Sequence, residues 1–284
     1  MKRLFIFIAF SVASTAAFTQ KVHVNTFLGI ANYQGDLQKS RFTFSQARLA
    51  AGLGLSYEIT DQFLLRAGYM TGKITGDDKL NNRTAIRNLN FTSNISEGNL
   101  MGEYYFKNLY QYSLSPYVFA GVAIYHFDPY TEDSLGAKYF LEPLSTEGQG
   151  FVSGVNNYKL TQFSIPFGAG IKFALSDNVR IGFEIGMRKL FTDYIDDIST
   201  RYVDDDLLLA NRGAKAVELA FRGDELKNGL TYPAAGSQRG AKAKDVYYFS
   251  GISLSFRLPG GGSKSLSAGG SKGGSKMGCP TRVY

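Results

Sequence analysis

The side chains of this sequence that could do chemistry are few: two histidines, His23 and His126, a run of aspartates between 193 and 206, and one cysteine, Cys279. A Ser–His–carboxylate hydrolase needs a histidine within hydrogen-bond reach of a serine. His23 falls near the start of an extended segment. His126, two residues before Asp128, could face lipid headgroups and act with a nearby serine; the plainer reading is a rim histidine among Tyr117, Tyr125 and Phe127 of an aromatic belt. Neither lies in a nucleophile motif, so no catalytic residue is expected. Asp193, Asp196, Asp197, Asp204, Asp205 and Asp206 offer hard oxygen ligands, but their spacing lacks the D-x-[DN]-x-[DN]-G frame of a calcium loop and reads as a solvated loop without a metal. The glycines of 150–154 lack a following Gly-Lys-Ser/Thr, which leaves phosphate binding unsupported and no cofactor expected.

A single cysteine excludes an internal disulfide framework and any Cys-rich zinc or iron–sulfur site. In an oxidising compartment such a thiol either pairs with another molecule or is tolerated on a tail, and the residues leave both open.

The elements that must position these groups are strands. Hydrophobicity alternates with period two over 179–188, where Val179, Ile181, Phe183, Ile185 and Met187 share one face and Arg180, Gly182, Glu184, Gly186 and Arg188 the other. Segment 163–173 repeats this pattern, with Pro166 expected to mark a bulge or a strand end. Five further segments alternate with less contrast or a break: 22–30, 48–57, 63–72, 98–106 and 246–258. Segment 117–127 is apolar on both faces and leaves its orientation open. The sum is an all-β chain of eight strands.

The connections at 58–62, 107–116 and 176–178 are short, whereas those at 34–44, 74–95, 128–160 and 190–245 are long. Short turns on one side and long loops on the other predict an eight-stranded antiparallel transmembrane β-barrel of the bacterial outer membrane, with long extracellular loops and the C-terminus in the periplasm. A soluble sandwich or lipocalin-like barrel would point its apolar face inward and give no reason for this regularity. Eight strands enclose an interior just wide enough for side chains. Arg48, Arg66, Glu103, Lys172, Arg180, Glu184 and Arg188 all fall on the polar face and carry both signs, so a plugged polar core is expected rather than an open pore. In the longest loop, acids at 204–206 followed by Leu207–Leu209 predict a short helix.

Two segments differ from the barrel at 20–258. Lys2 and Arg3, an apolar run and then small residues predict a secretory signal peptide over 1–19, cleaved between Ala16 and Gln20. Residues 259–284 form a Gly/Ser/Lys-rich run that reads as a flexible periplasmic tail ending in a Cys-Pro peptide. Together they account for most of the formal +7: Lys2 and Arg3 in the first, and Lys264, Lys272, Lys276 and Arg282 in the second, leave +1 for the barrel. A nucleic-acid partner is therefore not expected.

Several stretches resemble the Bacteroidetes-type outer-membrane barrels of the type IX secretion and gliding-motility apparatus, the PorG-like family. They are Asn32-Tyr33-Gln34-Gly35-Asp36-Leu37, Gly76-Asp77-Asp78, Arg87-Asn88-Leu89, Ser115-Pro116-Tyr117-Val118-Phe119-Ala120-Gly121, Thr146-Glu147-Gly148-Gln149-Gly150, Ile165-Pro166-Phe167-Gly168 and Phe191-Thr192-Asp193-Tyr194-Ile195-Asp196-Asp197. The resemblance implies a non-enzymatic component of the protein-secretion machine, beside a periplasmic ring built from a lipoprotein and its partner protein. Such a ring would sit where the tail emerges. Cys279 is then the candidate for a mixed disulfide to the ring lipoprotein, and Lys264, Lys272, Lys276 and Arg282 for contacts to an acidic partner surface. The rival readings are a lipid-modifying enzyme using His126 and a surface barrel whose loop 190–245 serves adhesion or ligand capture.

Overall fold

The computed structural model describes residues 22–38, 45–81, 84–226, 229–241 and 244–258. The expected signal peptide, Cys279 and the four basic residues of the tail lie outside the described residues.

Eight strands form the wall: β1 (Val22–Gln34), β2 (Arg48–Glu58), β3 (Phe63–Asp77), β4 (Asn90–Tyr105), β5 (Leu114–His126), β8 (Thr161–Ala174), β9 (Val179–Leu190) and β10 (Val246–Arg257). Between β5 and β8 a small hairpin, β6 (Pro129–Glu132) and β7 (Lys138–Phe140), attaches to β4. Every wall strand pairs antiparallel with its neighbours and β10 returns to β1, so the sheet closes without an edge. At the closing seam Gly29 faces Gly251, and a Cβ on Gly29 would lie 2.2 Å from the Ser250 carbonyl oxygen.

The period-two pattern fixes which side chains point where. Leu28, Leu53, Leu65, Leu100, Val122, Phe167, Ile185 and Ile252 are exposed and give the outer wall a continuous apolar band, while the alternate residues fill the lumen. An exposed apolar band on a closed eight-stranded barrel is stable only against hydrocarbon, so the wall spans a membrane. β5 resolves its ambiguity: Tyr117, Phe119, Tyr125 and Phe127 are buried inside, and Val118, Val122 and Ile124 face outward. Tyr117, Tyr125 and Phe127 are therefore interior residues and not members of an aromatic belt.

Three further expectations are corrected. β3 and β4 run past 72 and begin before 98, pairing without a break from Phe63↔Tyr104 to Asp77↔Asn90, so only 78–89 connects them. Ile74, Phe91 and Ile95 on this extension are buried against loops rather than lipid. Pro166 neither ends β8 nor makes a bulge. Pairing to β5 lapses beside it and resumes at Ala123↔Ser164 in the register of Ala120↔Phe167, because the β9 side continues through Pro166↔Arg188. Arg48, at the loop end of β2, is exposed and takes no part in the lumen.

The connections 59–62, 106–113 and 175–178 are short and lie at the end that holds Val22 and Arg257. The four long connections gather at the opposite end. Within the last of them, α1 (Asp205–Arg212) starts where Asp204 accepts the Leu207 N–H at 3.0 Å, and α2 (Ala214–Ala220) follows directly.

Candidate functional site

The lumen is filled by charge pairs stacked in three layers. At the short-turn end Glu58 accepts from the Tyr110 hydroxyl (2.7 Å) and Arg180 Nη2 (2.8 Å), and lies 2.9 Å from His23 Nε2. At mid-height Arg66 bridges Glu103, 2.8 Å from its Nε, and Glu184, 3.0 Å from its Nη1, with Phe119 beneath its guanidinium at 5.2 Å. Tyr105 donates to Glu103 and Tyr117 to Glu184, and Lys172 lies over the two tyrosine rings. Above them Arg188 grips Glu97 through Nε (2.9 Å) and Nη2 (3.1 Å), while Tyr247 donates to the same carboxylate at 2.7 Å. Four cations thus face four carboxylates, and every one of the eight is buried.

Glycines make this packing possible. Gly168 and Gly186 oppose each other, and a Cβ on either would lie within 2.8 Å of Phe119 Cζ. The lumenal cavity beside Arg66, Glu184 and Arg188 measures about 20 Å³, room for about one water. Of the residues expected inside, Arg66, Glu103, Lys172, Arg180, Glu184 and Arg188 are there. Glu58 and Glu97 are the carboxylates the sequence reading missed. Both continue the polar face of their strands, one position beyond the segment ends assigned from sequence.

Over the long-loop end the connections fold into a cap continuous with the upper lumen: Tyr33, Phe91, Ile95, Tyr125, Phe127, Ile195, Ile198 and Phe249 form one buried cluster. Two arginines tie the loops together. Arg87 binds Asp78 through Nη2 at 2.7 Å and reaches the carbonyls of Asp36 and Arg239. Arg239 pairs with Glu147 at 3.1 Å and donates to the Asp197 carbonyl at 2.7 Å. Glu147 also accepts from the backbone of Ser199 and Thr200.

The aspartates divide. Asp204, Asp205 and Asp206 are solvated as expected. Asp193, Asp196 and Asp197 are buried instead, because the loop folds back over the lumen. Burial pushes the Asp193 carboxyl up to about 7 and that of Asp197 to about 6, the latter restrained by Arg239. Asp196, hydrogen-bonded by the Tyr33 hydroxyl, and Asp245, which accepts from the Ile195 N–H, are also raised by burial and by neighbouring acids. Among the described residues no group of His, Cys, Asp and Glu is arranged to hold a metal ion.

His126 is exposed on the outer wall at the cap end, and its Nδ1 meets the Thr161 hydroxyl at 2.9 Å. His23 lies 2.9 Å from Glu58, inside the opposite end of the lumen. The two histidines are thus held at opposite ends. Beside Thr161 opens a cleft of about 840 Å³ between loops 127–160 and 191–245.

Among solved structures the chain is similar to Neisserial surface protein A, with 9% identity, TM-score 0.43, and 83% of this chain and 96% of that one covered. It is also similar to the N-terminal β-barrel domain of Pseudomonas aeruginosa OprF (14%, TM-score 0.36, 84% and 97%) and to Ail, the attachment invasion locus protein of Yersinia pestis (9%, TM-score 0.39, 84% and 97%). No curated protein matches it in sequence. A family does: over residues 2–209 the sequence matches the domain of unknown function DUF6089, and this eight-stranded barrel of the outer-membrane type belongs to that family.

Proposed function

We propose that this chain is a non-enzymatic outer-membrane barrel that anchors a periplasmic assembly, with its long loops outside the cell. The observation that supports this reading is the closed lumen. A barrel whose interior is filled by four buried cations and four buried carboxylates and leaves a cavity of about 20 Å³ is neither a conduit nor a reaction chamber, and its work falls to its ends. The assembly in question is the ring lipoprotein of the type IX secretion machinery and its ring partner, which the sequence resemblance implies. Its place is the short-turn end, where Arg257 leads into the basic segment 259–284.

Affinity purification from detergent-solubilised membranes, with the full chain and with a chain lacking 259–284, tests the reading. Ring components should co-purify with the full chain and be lost or strongly reduced without the tail. A non-reducing gel adds the covalent question: a larger band abolished by dithiothreitol and by Cys279→Ser supports a mixed disulfide. Recovery of the same proteins by both chains, or of no ring component by either, overturns the anchoring role.

A further inference from the structure

We propose that the cleft between loops 127–160 and 191–245 binds a glycolipid of the outer leaflet, an acylated sugar carrying phosphate. The cleft straddles the boundary between membrane and cap. At its lower lip Phe163 and Phe191, 66% and 55% exposed, extend the apolar outer wall upward and offer a track for an acyl chain. Its upper side presents Lys159 and Lys244, both solvent-exposed and neither engaged in an ion pair among the described residues, with the Asn157 amide between the loops. Two ammonium groups above an apolar lip match an anionic headgroup above a chain.

The cleft also holds an acceptor with nothing to accept. Asp193 is 6% exposed; its Oδ2 accepts from the Ser199 hydroxyl at 3.0 Å, whereas its Oδ1 is buried without a hydrogen-bond partner among the described residues. A buried carboxyl oxygen left unpaired costs stability unless a ligand donates to it, and a sugar hydroxyl is such a donor. Tyr158 and Tyr194, stacked at 4.9 Å, stiffen the wall behind it. About 840 Å³ suits a sugar headgroup and the first part of a chain. Phosphatidylglycerol satisfies the lysines and the phenylalanines but brings no ring of hydroxyls to Asp193, so the three features together select a glycolipid over it.

The inference rests on the outward orientation of the loops proposed above and is independent of the secretion partner. Full-length protein in phospholipid nanodiscs is titrated with a phosphorylated, multiply acylated glucosamine disaccharide, with its deacylated headgroup, and with phosphatidylglycerol as competitor. Intact glycolipid should bind, the headgroup alone at least about 10-fold more weakly, and phosphatidylglycerol should not displace it. Lys159→Ala with Lys244→Ala, and separately Asp193→Ala, should each weaken binding by about 10-fold or more while the folded band on an unheated gel persists. Equal binding by the lysine variant, equal binding of the free headgroup, or ready displacement by phosphatidylglycerol overturns the proposal. Orientation is read separately, by labelling whole cells carrying Ser153→Cys and Cys279→Ser with a membrane-impermeant maleimide. Labelling with no binding refutes the cleft alone; no labelling refutes the orientation.

Discussion

Replacing Arg66 by methionine tests whether the lumen is held by its charges. Arg66 bridges two lumenal carboxylates, Glu103 at 2.8 Å and Glu184 at 3.0 Å, and all three groups are buried. Methionine fills most of the same volume over Phe119, so the loss is electrostatic rather than steric. What remains near the carboxylates is Lys172, whose ammonium donates to the Ser255 hydroxyl at 3.3 Å and lies over Tyr105 and Tyr117. One cation cannot neutralise two buried carboxylates, and breaking a buried pair from one side costs about 3–5 kcal/mol. The assay is urea unfolding of the barrel in lipid vesicles, read by tyrosine fluorescence, for which the 18 tyrosines and absence of tryptophan suit the chain, and by the mobility shift of the unheated protein. Adding Glu103→Gln and Glu184→Gln should restore at least half of the loss, since both groups then need only hydrogen bonds. A single variant within about 1 kcal/mol of the parent, or a triple variant no better than the single, would refute the reasoning.

Other outcomes follow from the same geometry. Gly186→Val should fold poorly or not at all, because its Cβ meets Phe119 and the Arg188 guanidinium, whereas Gly98→Ala, with nothing within 4 Å, should behave as the parent in a refolding assay. In planar bilayers the parent should show no steady conductance, and stepwise openings of porin size would contradict a lumen closed by side chains. The cap should loosen as pH rises. Asp197 and Asp193 titrate near 6 and 7 in the folded cap and near 4 when released, so these two groups hold more protons in the cap than in the open loop, and the stability they contribute is full below about pH 4 and is lost as pH climbs through 6 and 7. Hydrogen exchange across 191–200 at pH 5 and pH 8, corrected for intrinsic rates, should show it, with Asp193→Asn flattening the difference; protection independent of pH would count against this account.

The architecture was legible because a membrane wall writes its alternation into the chain. β8 and β9 announce both faces, and their polar residues Lys172, Arg180, Glu184 and Arg188 all lie inside. The reading failed where a residue's surroundings come from far along the chain. β5 has apolar residues on both faces because Tyr117 and Tyr125 are buried inside, their rings packed in the core and the Tyr117 hydroxyl donating to Glu184. Ile74 and Phe91 continue β3 and β4 above the membrane only because the cap covers them. Asp193, Asp196 and Asp197 look solvated in isolation and are buried by a loop fold that includes Asp245, about 50 residues away. The cleft draws on segments 156–163, 191–200 and 244, a juxtaposition no local pattern carries.

The layered charges also constrain how the barrel is made. Arg180 finds Glu58 122 positions away, Arg66 finds Glu184 across 118, and Arg188 finds Glu97 across 91. Three of the four carboxylates sit in the first half of the chain and three of the four cations in the second. Neither half can enter hydrocarbon with its charges matched, and an isolated charge at membrane depth is expensive. Insertion is thus an all-or-none event that waits for the last strands to be delivered. Pairings of such long sequence separation make it slow, so the unfinished chain depends on being held soluble in the meantime.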